Sequence, residues 1–131
     1  MRKKRYLEKL ERFEKELEFI KTHKISDEVT ERALLYSLQI CVEVVLDIIA
    51  MATKDLGLVV QDDYTNIEKL EGEGVLSEDE AELIRRFNGL RNAIVHRYNR
   101  LDLEVVQEGL GEVERLYEIL CRLVEIAGRV L

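Results

Sequence analysis

Apolar residues recur at helical spacing along almost the whole chain. Leu10, Phe13, Leu17 and Ile20 stand 3, 4 and 3 positions apart, which predicts an amphipathic helix from about Arg2 to Thr22. Ser26 or Asp27 can cap a second helix carrying Val29, Ala33, Tyr36, Ile40, Val44, Ile48 and Ala52 on one stripe. It runs to about Leu56, where Gly57 supplies a left-handed stop. The stretch from Ile40 to Ala52 is apolar at most positions, with only Glu43 and Asp47 interrupting, so burial on more than one side is expected.

Two capping boxes follow, Thr65-x-x-Glu68 and Ser77-x-x-Glu80. The first predicts a short helix ended by Gly72 and Gly74, the second a helix from about Glu78 to about Tyr98. Asp102 can cap a last helix in which Leu103, Val106, Leu110, Val113, Tyr117, Leu120, Val124, Ala127 and Leu131 alternate spacings of 3 and 4. The expected fold is all-α, an antiparallel up-and-down bundle of four to five helices in one domain spanning residues 1–131.

Composition agrees with that picture. There is no Pro, no Trp and only seven Gly, poor material for a turn-rich β-sandwich. No run approaches the roughly 18 uninterrupted apolar residues of a membrane span. The N-terminus passes from Met1-Arg2-Lys3-Lys4-Arg5 into a Glu/Lys pattern with no signal-like apolar stretch, so a cytoplasmic protein is expected. Cys41 and Cys121 stand far apart with no CxxC, which suggests small core residues rather than a disulfide or a zinc site. No metal-ligand cluster and no cofactor motif stand out.

The formal net charge of −7 argues against nucleic acid until it is divided along the chain. Residues 1–24 carry nine basic and five acidic groups, 25–82 three and fifteen, 83–101 five and none, and 102–131 three and seven. The acid-free window holds Arg85, Arg86, Arg91, Arg97 and Arg100, and arginine is the side chain suited to bidentate phosphate recognition. Anion chemistry is expected there.

On a helical wheel with Arg91 at 0° and about 100° per residue, Leu83, Phe87, Leu90, Ile94 and Leu101 form one stripe between about 260° and 320°. Tyr98, Val95, Asn92 and His96 fall on an arc away from it, near 340°, 40°, 100° and roughly 140°. An Arg, an Asn, a His and a Tyr thus face outward together, and Val95 among them hints that another chain covers this face. His23, near the end of the first helix, reads as structural or solvated.

The string Arg91-Asn92-Ala93-Ile94-Val95-His96-Arg97-Tyr98 resembles the R-x-x-x-x-H-x-Y signature of the HEPN superfamily, in particular its HepT-like group. The resemblance implies a helical bundle that dimerises with the two motifs facing a shared cleft. It also implies a metal-independent endoribonuclease, the toxin of a toxin–antitoxin pair, whose partner is a minimal nucleotidyltransferase that transfers AMP to the motif tyrosine. Carried over, Arg91 and His96 are the catalytic pair, Asn92 a polar helper and Tyr98 the AMP acceptor. The acidic region from Ile25 to Glu82 is the part of the chain least like an RNA-binding surface.

The chemistry is sound on its own terms. RNA cleavage through the ribose 2′-hydroxyl needs a proton-transfer group, for which histidine is the suited side-chain type and His96 the candidate, and donors for phosphate oxygens, which Arg91 supplies. One His can serve as base or as acid while the reaction uses both, so two copies in one cleft would complete the site. Two other readings stay open from sequence: a non-catalytic binding module that docks a nucleotidyltransferase or binds nucleotide, and a plain structural bundle with a basic rim.

Overall fold

In the computed structural model, which describes residues 2–96 and 101–129, five helices are built in chain order. They are α1 (Arg2–Thr22), α2 (Glu28–Asp55), α3 (Asp63–Gly72), α4 (Glu78–His96) and α5 (Leu103–Gly128). No strand occurs among the described residues.

Local chemistry accounts for most of the boundaries. Asp27 caps α2 with a reciprocal pair: its carboxylate accepts from Thr30 N–H at 2.8 Å while its own N–H donates to Thr30 Oγ1 at 3.0 Å. The far end of α2 closes on Gly57 at φ 83°, with Gly57 N–H bonded to Lys54 O and Leu58 N–H to Thr53 O, a Schellman motif. Gly74, at φ 74°, ends α3 in the same way through Glu71 O and Leu70 O. The expected stop was shared with Gly72, but Gly72 is the last helical residue and Gly74 alone makes the left-handed turn.

The box at Ser77 forms as expected, with Ser77 N–H donating to Glu80 Oε1 at 2.8 Å and Glu80 N–H to Ser77 Oγ at 3.1 Å. Asp102 caps α5 by accepting from Glu104 N–H at 2.9 Å. The box at Thr65 does not form. Asp62 is the N-cap of α3 and accepts from Thr65 N–H at 2.7 Å, so Thr65 lies inside the first turn. Just ahead of Asp62 the backbone is held by buried Asn66, whose side chain bonds both N–H and C=O of Gln61.

Packing directions follow from side-chain pairs. Arg2 and Tyr6, at the start of α1, reach Asp55 at the end of α2, and Lys9 reaches Asp47, so these helices are antiparallel. Arg86 pairs with Glu112, and Arg122 with Glu80, which sets α5 antiparallel to α4. α2 touches all four other helices. It is long and apolar enough to cross a bilayer by length and composition, yet most of its apolar window is buried inside the bundle. The multi-sided burial expected of α2 is therefore present.

One hydrophobic cluster is shared by all five helices, including Phe13, Leu38, Ile48, Ile67, Leu83, Ile94 and Val113. Cys41 is buried within it, Cys121 packs on its edge, and both are free thiols. Two apolar positions depart from the expected α2 stripe: Val29 is 75% exposed and Tyr36 60% exposed. Both lie in the first third of α2. In α5, Leu103 is exposed while Leu116, Ile119 and Leu123 are buried, so the buried seam is wider than the 3-and-4 pattern marks and begins one turn later.

Candidate active site

α4 presents the motif. Its first turn carries Glu78, Asp79 and Glu80, whose charges complement the helix dipole there, and its last turn carries His96. Leu83, Phe87 and Ile94 are buried and Leu90 is half-buried against the core, so the wheel stripe is the inner face of α4. Rotation is thereby set for the other residues: Asn92 and His96 are exposed, Val95 is 42% exposed, and Arg91 stands at the boundary, half-buried.

Arg91 is held from two directions. Its Nη1 donates to Asn92 Oδ1 at 3.2 Å on the same helix, and its Nη2 approaches Glu43 Oε1 on α2 at 3.5 Å. The Arg91 Nε is buried without an acceptor among the described residues. His96 is the last residue of α4, on open surface. Arg91, Asn92 and His96 are thus brought onto one end of one helix. Tyr98, Arg97 and Arg100 lie outside the described residues, as does the expected end of the helix near Tyr98.

The window without acids along the chain is not without acids in space. Arg85 Nη2 pairs with Glu71 at 2.7 Å and sits over the Tyr64 ring, 5.4 Å from its centroid. Arg86 lies 3.9 Å from Glu112, and Arg91 meets Glu43. Of the three described arginines, Arg85 and Arg86 are therefore bundle struts, and Arg91 is the one beside Asn92 in the motif. Sequence reasoning missed Glu43 as a member of this site. A signal existed, since Glu43 and Asp47 are the two charges interrupting the apolar run of α2, and each has a cation from another helix: Arg91 for Glu43, Lys9 for Asp47.

His23 behaves as a structural residue. Its Nδ1 lies 2.9 Å from Phe19 O and 3.0 Å from Thr22 Oγ1, and its ring stacks on Phe19 at 4.0 Å. A cleft of about 180 Å³ between α4 and α5 is lined by Leu83, Arg86, Phe87, Leu90, Val105 and Gly109, but neither Arg91 nor His96 borders it. Among the described residues no group of three or more His, Cys, Asp or Glu side chains gathers in a way that could hold a metal ion.

Comparison with known proteins places the chain in a family. Residues 3–123 match the family described as ribonuclease HepT-like. A protein of Archaeoglobus fulgidus named "Putative RNase" is 56% identical over 130 residues, covering 99% of this chain and 98% of that one. A second protein of the same organism and name is 42% identical over 116 residues, 88% of this chain and 87% of the other. Among solved structures, a tri-AMPylated Shewanella oneidensis HEPN toxin in complex with an MNT antitoxin superposes with a TM-score of 0.75 at 19% identity, covering 95% of this chain and 96% of that chain. A toxin–antitoxin structure with AMP-PNP gives 0.73 at 20% identity, covering 88% and 96%. At those identities the structural likeness is one of fold, whereas the match over residues 3–123 and the 56% relative reach the chain itself: it belongs to the ribonuclease HepT-like family.

Proposed function

We propose that the chain is the toxin of a toxin–antitoxin pair, a metal-independent endoribonuclease that works in the cytoplasm as a homodimer of single HEPN-like domains. The observation that carries this reading is the outward end of α4, where Arg91, Asn92 and exposed His96 share one face of a helix whose opposite face is buried. Support comes also from the relatives named as RNases and from the fold shared with an AMPylated HEPN toxin.

In the proposed reaction His96 takes the proton of a ribose 2′-hydroxyl, and the 2′-oxygen forms a bond to the adjacent phosphorus. The bond to the 5′-oxygen breaks, and that oxygen takes a proton from the second His96 of the dimer. The products are a 2′,3′-cyclic phosphate and a 5′-hydroxyl end. Arg91 donates to the phosphate oxygens as charge builds in the transition state, and Asn92 holds one side of the guanidinium. Exposed Val95, Leu103 and Val105, around the end of α4 and the start of α5, give a second copy apolar surface to cover.

The partner in this reading is a minimal nucleotidyltransferase antitoxin that transfers AMP from ATP to the Tyr98 hydroxyl with release of pyrophosphate. The phosphate of the new ester would occupy the anion site of Arg91 and His96 and shut out RNA. The test is direct. Purified protein should cleave RNA in the presence of a chelator, and His96→Ala and Arg91→Ala should each reduce the rate at least ~100-fold while keeping the helical circular-dichroism spectrum. Incubation with the antitoxin and ATP should add AMP to the wild type and none to Tyr98→Phe, read by mass spectrometry. Cleavage undiminished in His96→Ala would overturn the catalytic reading. A stable complex with the nucleotidyltransferase and no cleavage by the free protein would favour the non-catalytic binding module.

A further inference from the structure

We infer that Glu43 is a positioning residue of the site, acting through the Arg91 guanidinium; the inference rests on the reading of Arg91 as the phosphate ligand. Glu43 breaks an apolar run on the most buried helix of the bundle, between Val42 and Val44, both of them buried. The Glu43 side chain is itself 39% exposed, so its carboxylate stands at the rim of the buried face of α2, where it can meet a cation from another helix. Its partner is 48 residues away in sequence: Arg91 Nη2, at 3.5 Å. Gln39 Nε2, one turn earlier on α2, donates to the same Glu43 oxygen at 3.3 Å and steadies it.

The consequence for Arg91 is geometric. A guanidinium is planar, so contacts on Nη1 and Nη2 from different directions fix both its position and the orientation of its plane. Asn92 supplies one contact from α4 and Glu43 the other from α2. Asn92 moves with α4, whereas Glu43 belongs to α2, so among the described contacts Glu43 is the one that ties the fork to a second helix. The buried Nε, with no acceptor among the described residues, remains a donor that neither contact uses.

Glu43 also has a cost. Its negative charge beside Arg91 repels an incoming RNA phosphate, with side-chain exposures of 29% for Arg91 and 39% for Glu43 leaving the pair only partly screened. Glu43 therefore weakens ground-state binding while it orients the donor for the transition state. The two effects separate in steady-state kinetics, since orientation enters kcat and uniform electrostatic repulsion enters KM.

The experiment measures cleavage of a fluorophore–quencher oligoribonucleotide of mixed sequence by wild type, Glu43→Gln, Glu43→Ala and Arg91→Ala. Glu43→Gln keeps an acceptor oxygen for Arg91 and removes the charge: kcat should stay within about 2-fold and KM fall about 3-fold. Glu43→Ala removes both: kcat should fall on the order of 10-fold with KM also lower. In parallel, proton–nitrogen spectra of the arginine side chains should show the Arg91 Nη signals sharp in wild type and Glu43→Gln and exchange-broadened in Glu43→Ala. A residue that only supports the fold would lower kcat in both variants without lowering KM. That pattern, or a Glu43→Ala enzyme with wild-type kcat, overturns the inference while Arg91→Ala remains inactive. If Arg91→Ala cleaves like wild type, the functional reading itself fails, and the arginine spectra still report whether Glu43 holds the guanidinium. Should Glu43→Ala not fold, Glu43→Val, which matches the buried neighbours Val42 and Val44, takes its place, with the same loss of kcat expected and a wild-type kcat overturning the inference.

Discussion

At the scale of single residues, the most informative groups are charges that the helical pattern would not have put inside. Asp55 accepts from Arg2 Nε at 2.9 Å and from Tyr6 Oη at 2.6 Å. Burial alone pushes its carboxyl up, but the hydrogen bonds from Arg2 and Tyr6 outweigh this and hold it below the usual carboxylate range. Because the folded value lies below the unfolded one, the native state binds fewer protons than the unfolded state in the interval between them. The contribution is therefore complete above about pH 5 and is lost as pH falls through the folded value, below the unfolded ~3.9. Asp55→Asn should cost about 1–3 kcal/mol in urea unfolding at pH 7, and the gap to wild type should close progressively below about pH 4. Tyr6 shows the partner's side of the bond, since burial first and then Asp55 raise its hydroxyl well above the usual range. Cys41 gives a second residue-level test. Burial pushes its thiol up to about 12, so an alkylating reagent at pH 8 should label it only after denaturation, while half-buried Cys121 reacts first.

At the scale of elements, helix starts and stops were largely legible because capping is local chemistry. Asp27, Ser77 and Asp102 act as read from the sequence, and Gly57 and Gly74 take the left-handed conformation that a stop requires. The failure at Thr65 has a physical source: Asp62, three residues earlier, takes the N-cap, and the Asn66 clamp on Gln61 holds the backbone just ahead of it. Ser77→Ala should lower unfolding free energy by about 1 kcal/mol through loss of the cap, with the motif end of α4 unchanged. Gly74→Ala should cost about 1–2 kcal/mol, since its φ of 74° is unfavourable for any residue with a Cβ. Urea titration of both variants checks the pair. Ser77 caps the end of α4 opposite Arg91 and Gly74 precedes that helix, so the rate of RNA cleavage per folded molecule should not change.

At the scale of the whole molecule, the proposed cleft asks for a second copy of a 15.3 kDa chain. Sedimentation equilibrium should return twice that mass, and Val95→Asp should shift the protein toward monomer with loss of cleavage and an unchanged helical spectrum. A Val95→Asp protein that stays dimeric and active would exclude this face from the dimer contact. By itself the sequence determined the all-helical class, a bundle of four to five helices, most of their caps, and the outward face of α4 that carries Asn92 and His96 with Arg91 at its edge, because periodicity and capping act within a few residues. Only the tertiary structure decided that Arg85 and Arg86 are engaged by Glu71 and Glu112, that Tyr36 and Val29 stay outside, and that Arg91 meets Glu43. Those facts depend on which helices lie side by side. The partner of a charge 48 positions away cannot be read from a pattern that repeats every three or four.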